Sequence, residues 1–186
     1  MDRRIKDRNI LDEICIKFCK VLERHCRYIV VSGFVAISSG RTRGTEDIDV
    51  ISEGLEKPTF SLLHKDLVKK GFVCMQGSDP EALYEDYLKD STSIRYTYKE
   101  HILPEMEFKL AKDALDEYQL RNRVKLPMTG LDVWFSSINA NIAFKEELLK
   151  SDKDIEDAKH LRIVYSSQVD EKEISNIKRM IKKMRL

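Results

Sequence analysis

Two acids one residue apart, Asp47 and Asp49, stand inside a short apolar run with Ile48, Val50 and Ile51. Alternation of this kind predicts a β-strand, and on a strand both carboxylates point to the same face. Side by side they repel, so the arrangement is costly unless a cation sits between them. Oxygen-only donors select a hard cation such as Mg²⁺. Upstream, Tyr28-Ile29-Val30-Val31 is a continuous apolar run of the buried-strand kind, ended by Ser32-Gly33, and Phe34 to Ile37 opens a short helix. A turn between strand and helix leaves backbone N–H groups free, which suits phosphate oxygens. Arg41 and Arg43 add positive charge between that turn and the acidic strand.

The rest of the chain supplies layers around this pair of strands. Leu11, Ile14, Phe18 and Leu22 fall at helical spacing and predict an amphipathic helix from about Ile5 to Cys26. Helices are also expected from Phe60 to Lys70, from Pro80 through Leu88 and from Asp113 to Leu120. Phe72–Met75, Thr92–Tyr98 and Met106–Leu110 read as strands, and Val124, Leu126 and Leu131 to Phe135 as short ones. From Ser137 the pattern is helical: one helix to Lys150, one from Asp152 to Tyr165, one from Glu171 to Met184. The fold class expected is α+β, a mixed sheet flanked by helices with a helical C-terminal third. Residues 1–135 would form the core and 136–186 a helical extension packed on it.

Composition narrows the function. Of 186 residues, 33 are Lys or Arg and 32 Asp or Glu, a formal net charge of +1, which excludes a surface built wholly as a nucleic-acid footprint. No apolar run approaches the roughly 20 residues of a transmembrane helix, so no membrane partner is expected. Cys15, Cys19, Cys26 and Cys74 form neither a CxxC pair nor a zinc pattern. Without a secretion-signal core, reduced thiols and a cytoplasmic setting are the expectation.

The residues Ser32-Gly33, thirteen intervening positions and Asp47-Ile48-Asp49 resemble the signature of the nucleotidyltransferase superfamily with the DNA polymerase β-like core. Arg43-Gly44-Thr45-Glu46-Asp47-Ile48-Asp49 is similar to the Arg-x-Thr-x-Asp-x-Asp stretch of minimal and abortive-infection-type nucleotidyltransferases. Phe144-Lys145, followed by Lys153-Asp154-Ile155-Glu156-Asp157, resembles the C-terminal motif of the abortive-infection group.

The resemblance implies two Mg²⁺ ions held by Asp47, Asp49 and a third acid, with ATP or another NTP as substrate. It also implies transfer of a nucleoside monophosphate to a hydroxyl of RNA, protein or a small molecule. Ser32 and Gly33, with Arg43, Thr45 and Lys145, would hold the nucleotide, and Asp154 or Asp157 would either stand behind them or act as a catalytic acid. The third acid is expected at Glu107, with Glu105 beside Pro104 and Asp132 as alternatives. If the small-residue pair is Gly33-Phe34, the Phe34 ring crowds the triphosphate; if it is Ser32-Gly33, that obstacle goes. A catalytically inert nucleotide-binding protein, or a partner in a toxin–antitoxin pair, is the competing expectation.

Several features carry plainer readings. Lys153 and Asp157 read as an i,i+4 pair in a first helical turn, where acids also oppose the helix dipole. His160 reads as a surface or capping side chain against a metal pair with Asp157, and His25-Cys26 as structural. Lys178, Arg179, Lys182, Lys183 and Arg185 read as a solvated helix face, with an RNA-docking strip as the alternative.

Overall fold

The computed structural model describes residues 9–99 and 101–186, so the predicted helical residues Ile5 to Arg8 lie outside the described part. Helix α1 runs Ile10–Leu22. It starts where Asn9 accepts from the Asp12 N–H at 3.0 Å and Asp12 accepts from the Asn9 N–H at 3.3 Å, a reciprocal cap that satisfies two otherwise orphan donors. Ile14, Cys15, Phe18, Cys19 and Leu22 form its buried stripe. Strand β1 is Tyr28–Val31, α2 is Gly33–Ser38, β2 is Asp47–Ser52 and α3 is Lys57–Lys69. Gly71, with φ +96°, turns the chain out of α3 into β3, Phe72–Cys74, a backbone angle L side chains resist. Asp79 caps α4, Pro80–Asp86, from the Pro-led start the sequence predicts.

Strands β4, Ile94–Tyr98, and β5, His101–Leu110, form a hairpin. Helices α5 (Ala114–Arg121), α6 (Ile138–Phe144), α7 (Asp152–Val164) and α8 (Glu171–Arg185) complete the chain. Each begins at a side-chain cap, Asp113, Ser137, Ser151 and Asp170 respectively.

The sheet order is β1-β2-β5-β4-β3, with β2 and β5 parallel and the other pairs antiparallel. This is the mixed-sheet α+β architecture expected. On one face Tyr28, Val30, Ile48, Val50, Tyr96, Met106 and Phe108 join a single buried cluster that takes in α1 and α3 and continues into α6, α7 and α8. The opposite face buries Ile29 and Ile51 against Leu120 of α5 and carries the acids farther along the same strands.

Two expectations need correction. The stretch Val124 to Phe135 makes single bridges rather than strands: Phe135 pairs with Val30 and with Val124, which blunts the free edge of β1. The predicted single helix from Ser137 to Lys150 is α6 followed by one π-helical turn, Lys145–Leu149. That wider turn closes with the Lys150 N–H on the Lys145 carbonyl at 3.0 Å, and its first residue is the fully buried Lys145. Among the described residues no helix is long and apolar enough to cross a membrane.

Candidate active site

Strand register brings the acids together. Val31, Asp49, Glu107 and Arg95 form one row across β1, β2, β5 and β4, and Asp47 faces Glu105 in the next row. Burial pushes the Asp49 carboxyl up to about 6, helped by the charges of Asp47 and Glu107, while Lys109 and a hydrogen bond from Ser32 pull the other way. Thr45 donates its hydroxyl to the Asp47 carbonyl at 3.0 Å and lies 3.3 Å from Asp47 Oδ1, which fixes the entry to the strand.

Glu107 and Glu105 share the acidic face, as alternation predicts, but Glu107 is not free. Ser93 donates to its Oε1 at 2.9 Å and Arg95 Nη2 to its Oε2 at 3.2 Å, while Arg95 Nη1 lies 3.5 Å from Glu105. Among the described residues no three His, Cys, Asp or Glu side chains close in as a ready metal site. The donor chemistry still fits a hard divalent cation: oxygen ligands, crowded acids, and a raised Asp49 carboxyl that an added positive charge would relieve. Asp132 stands apart, an exposed side chain 2.8 Å from Lys125, so that alternative falls away.

The turn beneath the acids is tight. Ser32 sits at φ 65° and ψ −135°, a region rarely occupied by a residue with a side chain, and it caps α2 without a side-chain hydrogen bond. A Cβ added at Gly33 would run into the Arg43 guanidinium, so glycine lets that cation lie directly on the turn. Phe34 is buried in the main apolar cluster, so its ring packs into the core rather than over the turn.

Arg43 is held there from α7. Its Nε and Nη2 donate to Asp157 Oδ1 and Oδ2 at 3.1 and 2.9 Å. Lys145 Nζ donates to Asp157 Oδ2 at 2.9 Å and to Asp154 Oδ1 at 3.2 Å. Arg41 Nε lies 2.6 Å from Asp157 Oδ1, at an angle that makes no hydrogen bond. Burial pushes the Asp157 carboxyl up, but hydrogen bonds from Lys145 and Arg43, with their charges, outweigh it and hold the pKa below the usual carboxylate range. The expected Lys153–Asp157 pair does not form, because Asp157 turns inward to these three cations. His160 is no metal partner either: its ring nitrogen bonds the Ser39 carbonyl at 3.1 Å, tying α7 to the end of α2.

Two concavities flank the acids. One, of about 170 Å³, lies among Ser32, Asp49, Lys109, Asn141, Phe144 and Lys145. The other, about 720 Å³ and more open, is lined by Arg41, Arg43, Thr45, Asp47 and Lys153. Ser32, Asp49 and Lys145 thus line the smaller concavity and Arg43, Thr45 and Asp47 the larger, with Glu107 beside Asp49 on the acidic face, Gly33 against Arg43, and Asp154 and Asp157 holding Lys145. Sequence reading missed Ser93 and Arg95, whose only signal was their place on a strand facing the acids. The C-terminal basic stripe is largely tied down: Lys178 reaches Glu146 at 2.6 Å and Arg185 reaches Asp113 and Asp116 at 2.9 and 2.7 Å.

No family model and no curated protein sequence matches the chain. Two solved structures of the antibiotic-resistance factor ANT(2″)-Ia, an aminoglycoside nucleotidyltransferase, do match in shape. The solution structure superposes with a TM-score of 0.55 at 13% identity, covering 93% of this chain and 91% of that one. The crystal structure in complex with adenylyl-2″-tobramycin gives 0.57 at 14% identity, covering 96% of this chain and 100% of the other. The chain has a nucleotidyltransferase-like fold.

Proposed function

We propose that this protein is a nucleotidyltransferase, moving a nucleoside monophosphate from ATP or another NTP to a hydroxyl acceptor and releasing pyrophosphate. The observation that carries the reading is the register that sets Asp47 and Asp49 on β2 beside Glu107 on parallel β5, next to a glycine turn covered by Arg43. Asp47, Asp49 and Glu107 would hold Mg²⁺, two ions on this reading, with Glu107 turning from Arg95 to do so. Bound there, the metal supplies charge neutralisation for the attacking and leaving oxygens.

The chain's own residues do the rest. Ser32 and Gly33 present backbone N–H groups to triphosphate oxygens, and Thr45 keeps Asp47 aimed along the strand. Arg43 and Lys145 stabilise the negative charge that develops on the leaving group, held in place by Asp154 and Asp157. To Glu107, once released from Arg95, we assign the taking of the acceptor hydroxyl's proton. We assign the acidic strands and the glycine turn to the core, residues 1–135, with 136–186 closing the cleft from one side and supplying Lys145, Asp154 and Asp157, in a cytoplasmic setting. The complex of ANT(2″)-Ia with adenylyl-2″-tobramycin supports a small-molecule acceptor as the first to try, ahead of RNA or protein.

The test is incubation with Mg²⁺, each labelled NTP, and acceptor pools of aminoglycosides and other polyols, total RNA, and protein. Transfer that disappears in Asp47→Asn/Asp49→Asn supports the enzyme. One observation favours a second reading, an inert nucleotide binder or toxin–antitoxin partner: both oxygens of Glu107 are already hydrogen-bonded. That reading predicts NTP binding with no transfer to any pool.

A further inference from the structure

Many cations of this molecule meet carboxylates: Arg27 with Glu53, Lys145 with Asp157, Lys178 with Glu146, Arg185 with Asp113. One groove gathers several that do not. On the sheet face away from the acids, a groove of about 460 Å³ is lined by Lys17, Lys20, Val21, Arg24, Lys70 and Tyr98, four cations and no acid. Among the described residues Lys17, Lys20 and Lys70 make no ion pair, and Arg24 meets only Asp66, at 3.4 Å, a carboxylate that His25 also holds at 2.9 Å.

Lys17 lies 4.6 Å from the Tyr98 ring centroid and Lys99 lies 5.8 Å from it. A ring steadies an ammonium without cancelling its charge. Helix-end placement accounts for Lys20 and Arg24 at the end of α1 and Lys70 at the end of α3, since cations there oppose the dipole. It does not account for Lys17, more than a turn inside α1, or for Lys99 on the β4–β5 hairpin.

Lys17, Lys20 and Arg24 recur at i, i+3 and i+7, a row along one side of α1 and its exit spanning about 10 Å. We propose that this groove binds the phosphodiester backbone of a single-stranded RNA. A row of cations in a groove, with Arg24 alone of the three sharing a carboxylate among the described residues, matches a thread of phosphates; a lone anion needs only one end of it, and a bilayer is flat. The near-neutral whole chain fits such a local footprint, and the site stands independently of whether the acidic cleft transfers nucleotides.

The experiment is fluorescence anisotropy on the full chain with a labelled oligouridylate of about twelve nucleotides, repeated across a salt series. Lys17→Gln/Lys20→Gln/Lys70→Gln should weaken binding at least about tenfold and flatten the log–log salt slope by about 2, the contribution of three phosphate contacts. Lys178→Gln/Lys182→Gln/Lys183→Gln should bind as the parent does. Circular dichroism melts, and the single variants Lys20→Gln and Lys70→Gln, separate lost binding from lost folding. The proposal is overturned if the parent does not bind the oligomer, or if the α1/α3 triple variant binds it unchanged. Binding to phosphatidylserine vesicles with none to RNA overturns it as well.

Discussion

The cleft holds two charge clusters built on opposite terms. At Asp47, Asp49, Glu105 and Glu107, four acids share one sheet face with Arg95 and Lys109, and the buried Asp49 carboxyl is forced up to about 6. At Asp157, one fully buried carboxylate is surrounded by Lys145, Arg41 and Arg43, and its pKa is forced down. The first is short of positive charge and the second has a surplus. A cation entering the first and a polyphosphate settling beside the second would each relieve what the fold leaves unbalanced, which is the electrostatic case for an NTP–metal substrate between them.

The sharpest way to break this contrast is to neutralise the acids. Asp47→Asn/Asp49→Asn should abolish transfer, a fall of about 10⁴-fold or roughly 5.5 kcal/mol of barrier, while the melting temperature holds or rises because repulsion is removed. A melting temperature that drops sharply would mean the acids are structural. Asp157→Ala should act oppositely, costing about 3–5 kcal/mol in urea unfolding because it leaves the buried Lys145 with only its longer contact to Asp154.

The same cluster predicts a pH signature. With its folded pKa depressed, Asp157 contributes stability that is present above the unfolded value, about 3.9, and is lost as pH falls through the folded one. In Asp157→Asn that loss on acidification should shrink, as read by urea midpoints across the acid range.

A smaller effect tests how the turn meets the cluster. Gly33→Ala should push Arg43 off the turn and cost about 1–2 kcal/mol, whereas adding it to Arg43→Ala should cost little more. Additive losses would show that the two residues do not act through one contact. At the bottom of the scale, Lys183→Ala should change stability by less than about 0.5 kcal/mol, since its neighbours Lys178 and Arg185 make the ties that anchor α8.

Much of the fold was legible because its signals are local. Alternation around Ile48 and Val50, the Asp79-Pro80 helix start and the glycine after α3 each act within a few residues, so the elements follow from the chain alone. The acidic pair was legible for the same reason. Where reading failed, the cause was tertiary. Lys153 is the near neighbour that helical spacing offers Asp157, yet the fold brings Lys145, Arg41 and Arg43 to it instead. The apparent continuity from Ser137 to Lys150 hides a π turn that local propensity does not distinguish from an α-helical one.

By itself, then, the sequence determined which strand carries two carboxylates, where the glycine turn precedes it, and that a third acid waits on a later strand. Only the tertiary structure decided that Asp49 faces Glu107, that Arg95 and Ser93 occupy that glutamate, that Phe34 turns into the core, and that Asp157 gathers three cations from two distant segments. Strand periodicity is a property of neighbouring residues, whereas register and ion pairing are set by how separated segments bury their apolar faces together.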